Sequence, residues 1–238
     1  MEAKLTDLVN RLKTTARENL RAVILYGSAV SGEFREGHSD LNVLCLVNTA
    51  TANDLEHLHP VAEWWTRQGN AAPLIFTLDE LHRASDVFSI ELLDMKAHHR
   101  VLHGDDFLAS FEVPLRLHRI QVERELRSSV IRLRQGIVAA PLSNRDHMGL
   151  MTQSVSVFCS LFRHAVIALG GAAPKSKREA VTAVAALTGA DPSAFHAVLD
   201  LREGKQKAGA IDVEASLHSY LEFVEVVTNE VDRRLDAI

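Results

Sequence analysis

The sequence predicts an α+β chain: a small mixed β-sheet with flanking helices over residues 1–110, followed by an all-α helical bundle over residues 111–238. Three observations predict it. Short, β-rich apolar runs (Ala22 to Tyr26, Val43 to Val47, Ala72 to Thr77, Val101 to His103) are confined to the first half. After Pro114 the apolar residues recur only at helical spacing, in segments parted by Gly170 to Pro174, Gly189 to Pro192 and Gly204 to Ala210. A chain of 238 residues that is 47% hydrophobic is also long and apolar enough to bury two cores.

The elements follow in order from local chemistry. Residues 2–19 read as a helix, because Leu5, Leu8, Val9 and Leu12 are spaced for one apolar stripe among charged neighbours. The strand from Ala22 stops at Gly27, where the chain must turn sharply. A short helix and a variable loop then lead to the strand Val43 to Val47. Asn53 or Asp54 is expected to cap a helix through Leu55, Leu58, Val61, Ala62, Trp64 and Trp65, which Pro60 should kink or split. The paired tryptophans read as that helix's packing face; stacking on a nucleobase is the sharper alternative. Gly69-Asn70 ends the helix. A strand to Thr77 and a short helix from Leu78 to Ala84 come next, then a helix from Ser89 to Arg100 feeding the strand at Val101 and a tight turn at Gly104.

Phe107 to Pro114 is the expected domain boundary. The helices beyond it, 115–140, 144–169, 175–188, 192–202 and 212–237, are joined by short loops and should form an antiparallel bundle. In the first of them Leu117, Ile120, Leu126, Val130, Ile131 and Leu133 form the expected buried stripe. Arg116, Arg119, Arg124, Arg127, Arg132 and Arg134 fall mostly off it. They read as a solvated face with Glu123 and Glu125 as partners, or, more sharply, as groups of which one or two grip a triphosphate or an acidic acceptor.

Composition narrows the function classes. The formal net charge of −5 argues against nucleic-acid binding through bulk charge. The charge is uneven: up to residue 112 there are ten basic against seventeen acidic residues, and beyond it sixteen against fourteen. Cys45 and Cys159 fall in apolar runs and read as reduced core thiols, with no disulfide framework. The amphipathic start is no signal peptide, and no apolar run reads as long enough to span a bilayer, so a cytoplasmic protein is expected. A monomer and a dimer fit the sequence equally.

The chemistry concentrates between Val23 and Val47. Gly27 lacks a Cβ, so a phosphate can approach the backbone there, and the following amides and the Ser28 hydroxyl can donate to its oxygens. Side chains alternate along a strand, so Asp40 and Asn42 should face the same way, towards that cradle, while Leu41 and Val43 enter the core.

Gly27-Ser28, about a dozen residues, then the Asp-x-Asp-type pair Asp40-x-Asn42 at the start of an apolar strand resembles the signature of the nucleotidyltransferase superfamily. The aminoglycoside and minimal nucleotidyltransferases are the members it looks most like. The helix running into Val101 to Asp106 is similar to the close of the catalytic domain in the aminoglycoside enzymes. The resemblance implies that Gly27, Ser28 and Ser39 hold the phosphates of a nucleoside triphosphate and that Asp40 is the catalytic carboxylate. It also implies that Asp40, with Asn42 at the second position, holds Mg²⁺. Asn42 departs from the family, since an amide in place of a carboxylate removes a charge and should weaken the metal. The third acid also has no match on the strand Ala72 to Thr77; Asp79, Glu80, Glu91 and Asp94 are the candidates to replace it. The basic residue that many members carry a few positions after the serine is replaced by Ala29, Val30 and Ser31.

Two function classes follow. In the first the chain transfers a nucleoside monophosphate from a triphosphate to a hydroxyl of a small-molecule or protein acceptor, with an impaired metal site. In the second it is a catalytically inactive relative that binds a nucleotide or a protein partner. A purely structural dimerisation module has no positive signal. Other constellations are weaker. His57 with His59, or His99 with His103, lack the glutamate that a zinc peptidase helix carries. His38 beside Ser39 reads as an exposed loop residue. There is neither a Gly-x-Ser-x-Gly elbow nor a dinucleotide fingerprint. The Arg-to-His spacing of the helical ribonuclease toxins is missing too.

Overall fold

The computed structural model describes residues 1–31, 40–140 and 143–233. Contacts divide the chain into two compact units, Met1–Leu115 and Arg116–Ile238.

The first unit is built on helix α1 (Glu2–Ala16), strand β1 (Leu20–Tyr26), the single turn α2 (Ser28–Ser31), strand β2 (Asn42–Val47) and helix α3 (Ala52–Thr66). Strand β3 (Leu74–Thr77), helices α4 (Leu78–Ala84) and α5 (Ser89–Ala97), strand β4 (His99–His103) and the short α6 (Phe107–Ser110) complete it. The strands form a mixed sheet in the order β3-β2-β1-β4. β1 runs antiparallel to β2, with Tyr26 opposite Asn42, and antiparallel to β4; β2 and β3 are parallel, with Leu44 opposite Leu74.

The strands' alternation sends alternate side chains into two cores. On one face Val23, Leu25, Val43 and Cys45 pack with Leu5, Leu8 and Leu12 of α1 and with Leu58, Val61 and Trp65 of α3. On the other Ala22, Ile24, Leu44 and Leu46 pack with Leu81 of α4, Leu92 and Met95 of α5, Leu108 of α6 and Phe111. Asn42 belongs by alternation to this second face. Phe111 is buried, Val113 packs on the same core, and Lys96 Nζ donates to the Phe111 carbonyl at 2.6 Å. These contacts keep the chain in the first unit as far as Leu115.

Several expectations need correction. The cap of α3 is Thr51: its hydroxyl accepts from the Asp54 amide, and the Asp54 carboxylate accepts from the Thr51 amide, a reciprocal box. α3 is assigned as one continuous helix through Pro60. Leu58, Val61 and Trp65, buried on both sides of the proline, hold the turns that its missing N–H would loosen. α5 ends at Ala97, and His99 and Arg100 already belong to β4. Trp65 is fully buried and Trp64 lies under the Arg11 guanidinium, 4.2 Å from its ring centre, so the pair is a packing face.

The second unit consists of α7 (His118–Ala139), α8 (Asn144–Ala168), α9 (Lys177–Thr188), α10 (Ser193–Arg202) and α11 (Val213–Arg233). Its centre is aromatic: Phe195 stacks on Tyr220 at 4.0 Å between ring centres, with Phe158, Phe162 and Phe223 around them. The buried stripe of α7 is His118, Val122, Leu126, Ser129, Val130 and Leu133, whereas Ile120 and Ile131 are 52% and 54% exposed. The expected stripe is corrected at those two positions and at Leu117, which precedes the helix as its N-cap and is half-buried. Arg127 pairs with Glu123 and with Asp232, and Arg134 with Glu225, both tying α7 to α11. Arg119 donates to the Ala168 carbonyl at 3.1 Å, and Arg132 to the Ser129 hydroxyl. These four arginines serve the bundle's own packing. Among the described residues α8 is long and apolar enough to cross a membrane by length and composition, and half of that stretch is buried inside the protein. This corrects the expectation that no apolar run reaches such a length.

Candidate functional site

β1 ends in a left-handed residue, Gly27, at φ +78°. A residue with a Cβ is strained there, which is why a glycine stops the strand. The Gly27 amide donates to the His98 carbonyl at 3.3 Å, and its own carbonyl accepts from Val30 at 3.0 Å, closing the turn α2. Ser28 opens that turn and is half-buried. A Cβ on Gly27 would stand 3.2 Å from the side-chain nitrogen of Asn42. The turn and the second residue of the Asp-x-Asn pair are therefore brought together.

Asp40 lies two residues before Asn42, outside the strand, and is exposed. The Leu41 amide beside it donates to the Asn70 side-chain carbonyl oxygen at 3.2 Å, so Asn70 pins the entry into β2. Sequence reasoning places Asn70 only at a helix end; an asparagine immediately after Gly69 is the signal that could have found it. Ser39, like His38, lies outside the described residues.

The four candidates for a third acid separate into two groups. Glu80 accepts from the amide and hydroxyl of Thr77 in the box that caps α4, and those bonds hold its carboxyl below the usual range. Asp79 lines a polar cavity of about 340 Å³ with Arg21, Asn48, Arg83 and Asp105. Both follow Thr77, which pairs with Val47, so they stand at the far end of β2 from Asn42. Glu91 and Asp94, by contrast, line a cavity of about 460 Å³ that Tyr26 and Gly27 also line. Its remaining walls are apolar: Leu44, Leu74 and Phe76 from the sheet, Leu81 and Ala84 from α4, and Phe88, Leu92 and Met95 from α5 and its approach. Burial raises the Tyr26 phenol above its ordinary pKa, so it is a neutral O–H at physiological pH. Among the described residues no group of three or more His, Cys, Asp or Glu is placed to hold a metal ion.

At the turn stand a left-handed glycine, the Ser28 residue and the Asn42 amide, with the exposed Asp40 two residues before Asn42; Tyr26 and Gly27 also line the largely apolar cavity that carries Glu91 and Asp94. No protein-family model matches this chain, and no curated protein matches it. Among solved structures it is similar to a spectinomycin adenyltransferase from Enterococcus faecialis, crystallised with ATP and spectinomycin. The identity is 15% and the TM-score 0.50, with 98% of this chain and 99% of that one covered. At that identity the likeness shows the fold: α+β and nucleotidyltransferase-like, with a helical region beyond the sheet.

Proposed function

We propose that this chain binds a nucleoside triphosphate at the Gly27–Ser28 turn and transfers its nucleoside monophosphate to a hydroxyl of a small-molecule or protein acceptor. The observation that carries the reading is the meeting of the left-handed Gly27 with Asn42 at the mouth of β2. A glycine there leaves the backbone open to a phosphate beside the Asn42 side chain. The solved neighbour was crystallised with ATP and spectinomycin, which supports a nucleotide as the ligand. In the transfer the acceptor oxygen bonds to the α-phosphorus, the bond to the bridging oxygen breaks, pyrophosphate leaves and the acceptor's proton passes to solvent or a base.

Mg²⁺ usually takes one or two carboxylates from the protein and the rest of its shell from phosphates and water. Asp40 and the Asn42 carbonyl oxygen meet that requirement at its lower end. When bound, the ion would neutralise charge on the triphosphate. With a single carboxylate at the pair the ion is held weakly and turnover is slow, since this class of reaction depends on positioning and charge neutralisation.

A second reading is favoured by one observation. β3, which faces Asn42's side of the sheet with Leu74 and Phe76, carries apolar groups where the resemblance calls for an acid. In that reading the chain is a non-catalytic relative binding a nucleotide or a protein partner at the same turn.

Calorimetric titration with nucleoside triphosphates, with and without Mg²⁺ and followed by a pyrophosphate assay, separates the two. Metal-dependent binding with pyrophosphate release supports transfer. Binding indifferent to Mg²⁺ and without release supports the second reading with a nucleotide as ligand, and no binding removes transfer and leaves only the protein partner of the second reading. Asn42→Asp should tighten metal-dependent binding; no change would take residue 42 out of the metal shell.

A further inference from the structure

We propose that the polar cavity at the opposite end of the sheet from Gly27 binds a small zwitterion, a molecule that carries a carboxylate and an ammonium group a few bonds apart, as free amino acids do. Arg21 stands at the start of β1 and Gly27 just past its end, about 20 Å away along an extended strand. The site is therefore separate from the nucleotide turn and stands whether or not that reading holds.

The cavity measures about 340 Å³, near the small end of the range of roughly 300 to 1,000 Å³ for small-molecule pockets. It forms where β1 begins and β2, β3 and β4 end, so separate segments converge on it: Arg21 from β1, Asn48 after β2, Asp79 and Arg83 from α4, and Asp105 after β4. Close contacts fix this frame. Gly104 lies so near β1 that a Cβ on it would meet the Arg21 carbonyl oxygen at 2.1 Å, which carries Asp105 to the start of that strand. The Asn48 side chain donates to the Glu18 carbonyl at 2.7 Å and its backbone amide to the Asn19 carbonyl at 2.9 Å. Its Oδ1 accepts a long bond, 3.4 Å, from the Arg21 guanidinium, tethering that arginine on the cavity wall.

Charge decides the ligand. The wall carries two guanidinium groups and two carboxylates, and among the described residues none of the four is ion-paired with another or with a neighbour. Arg83 acts on the Glu80 carboxylate, three residues earlier, only through its charge. An exposed arginine by itself gains little from a partner. Groups of both signs on one concave surface are a different matter, because a cleft concentrates their fields. A guanidinium matches a carboxylate with two parallel N–H bonds, and a carboxylate accepts from an ammonium. A phosphate or a dicarboxylate would face Asp79 and Asp105 as well as the arginines, and a simple amine would face the arginines; a zwitterion satisfies both signs. Leu78, 39% exposed, and Phe107 add apolar surface against which its side chain can lie.

The test follows thermal unfolding of the full chain with each proteinogenic amino acid in turn and titrates calorimetrically the one that stabilises most. Saturable binding at one molecule per chain, with a higher melting temperature, is the expected result. The same molecule without its amino group, the same molecule without its carboxylate, and inorganic phosphate should each bind at least about tenfold more weakly. Arg21→Gln, Arg83→Gln and Asp105→Asn change exposed side chains and should each weaken binding on the order of tenfold with the circular dichroism unchanged. Arg67→Gln removes an exposed cation of α3's C-terminal end, outside the cavity, and should leave binding as it is. ATP should not displace the amino acid. The proposal is overturned by a folded wild-type chain that binds none of the amino acids saturably, or by equal binding of phosphate or the deaminated acid, which would mean an anion site only. Binding that survives all three cavity variants, binding lost in Arg67→Gln, or displacement by ATP overturns it as well.

Discussion

A methyl group on Gly27 would come within 3.2 Å of the side-chain nitrogen of Asn42, the residue at which β2 begins. Two strand ends thus meet through a missing side chain, and the meeting is testable by coupling. Gly27→Ala should cost about 1–2 kcal/mol from the left-handed backbone alone, with a further steric part that the end of a flexible amide can partly relieve. Asn42→Ala removes the atom in the way, so the double variant should be more stable than the sum of the single effects allows. Strict additivity in urea melts would mean that the two residues do not touch.

Gly104 tests the opposite case, a close approach that cannot relax. It follows β4 at φ +80°, and a Cβ there would sit 2.1 Å from the Arg21 carbonyl oxygen and 2.9 Å from the Ala22 Cα, both backbone atoms of β1. Gly104→Ala combines left-handed strain with overpacking against a strand that cannot move, an expected loss of about 2 to 5 kcal/mol. The same denaturation experiment checks it. A loss no larger than that of Gly27→Ala would mean that β1 and β4 part easily at this end.

The contrast between these glycines shows what is legible in the sequence. Gly27 is legible, because a β-rich run that halts at Gly-Ser has to turn there. The strands and the five long helices are also readable from period and punctuation. Ile120 and Ile131 escape such a reading because several phases of α7 carry apolar residues, and α8 and α11 decide which is buried; His118 and Ser129 lie inside while two isoleucines face out. Pro60 does not split α3, since packing of Leu58, Val61 and Trp65 outranks a local breaker. The site is legible in part. The Gly27–Asn42 meeting follows from a motif, but the cavity beside Glu91 and Asp94 depends on where α5 lies across the sheet, and periodicity carries no such information.

Cys45 lies in the middle of β2 with no exposed surface, and burial pushes its thiol up to about 12. Cys159 is likewise buried in α8. Only a thiolate reacts readily, so neither should be modified by Ellman's reagent in the native chain, and two thiols should appear on addition of denaturant. A native thiol that reacts at a rate independent of denaturant would mean that one of the two cores opens to solvent.

His196 on α10 supplies a test of pH dependence. Its Nε2 stands 3.2 Å from the Thr182 hydroxyl on α9, and its pKa is lowered, first by burial and then by the Arg178 guanidinium, with Asp200 opposing. A histidine whose folded pKa lies below its unfolded value takes up a proton more readily when unfolded. Its contribution is therefore complete above the ordinary histidine range and is lost as pH falls through the folded value. Between about pH 7.5 and pH 5.5 the wild-type melting temperature should fall further than that of His196→Gln, which keeps a polar group beside Thr182 but does not titrate. The other histidines are common to both proteins and cancel in the comparison. Parallel decline of the two melting curves would show that His196 is as free to be protonated in the folded bundle as in the unfolded chain.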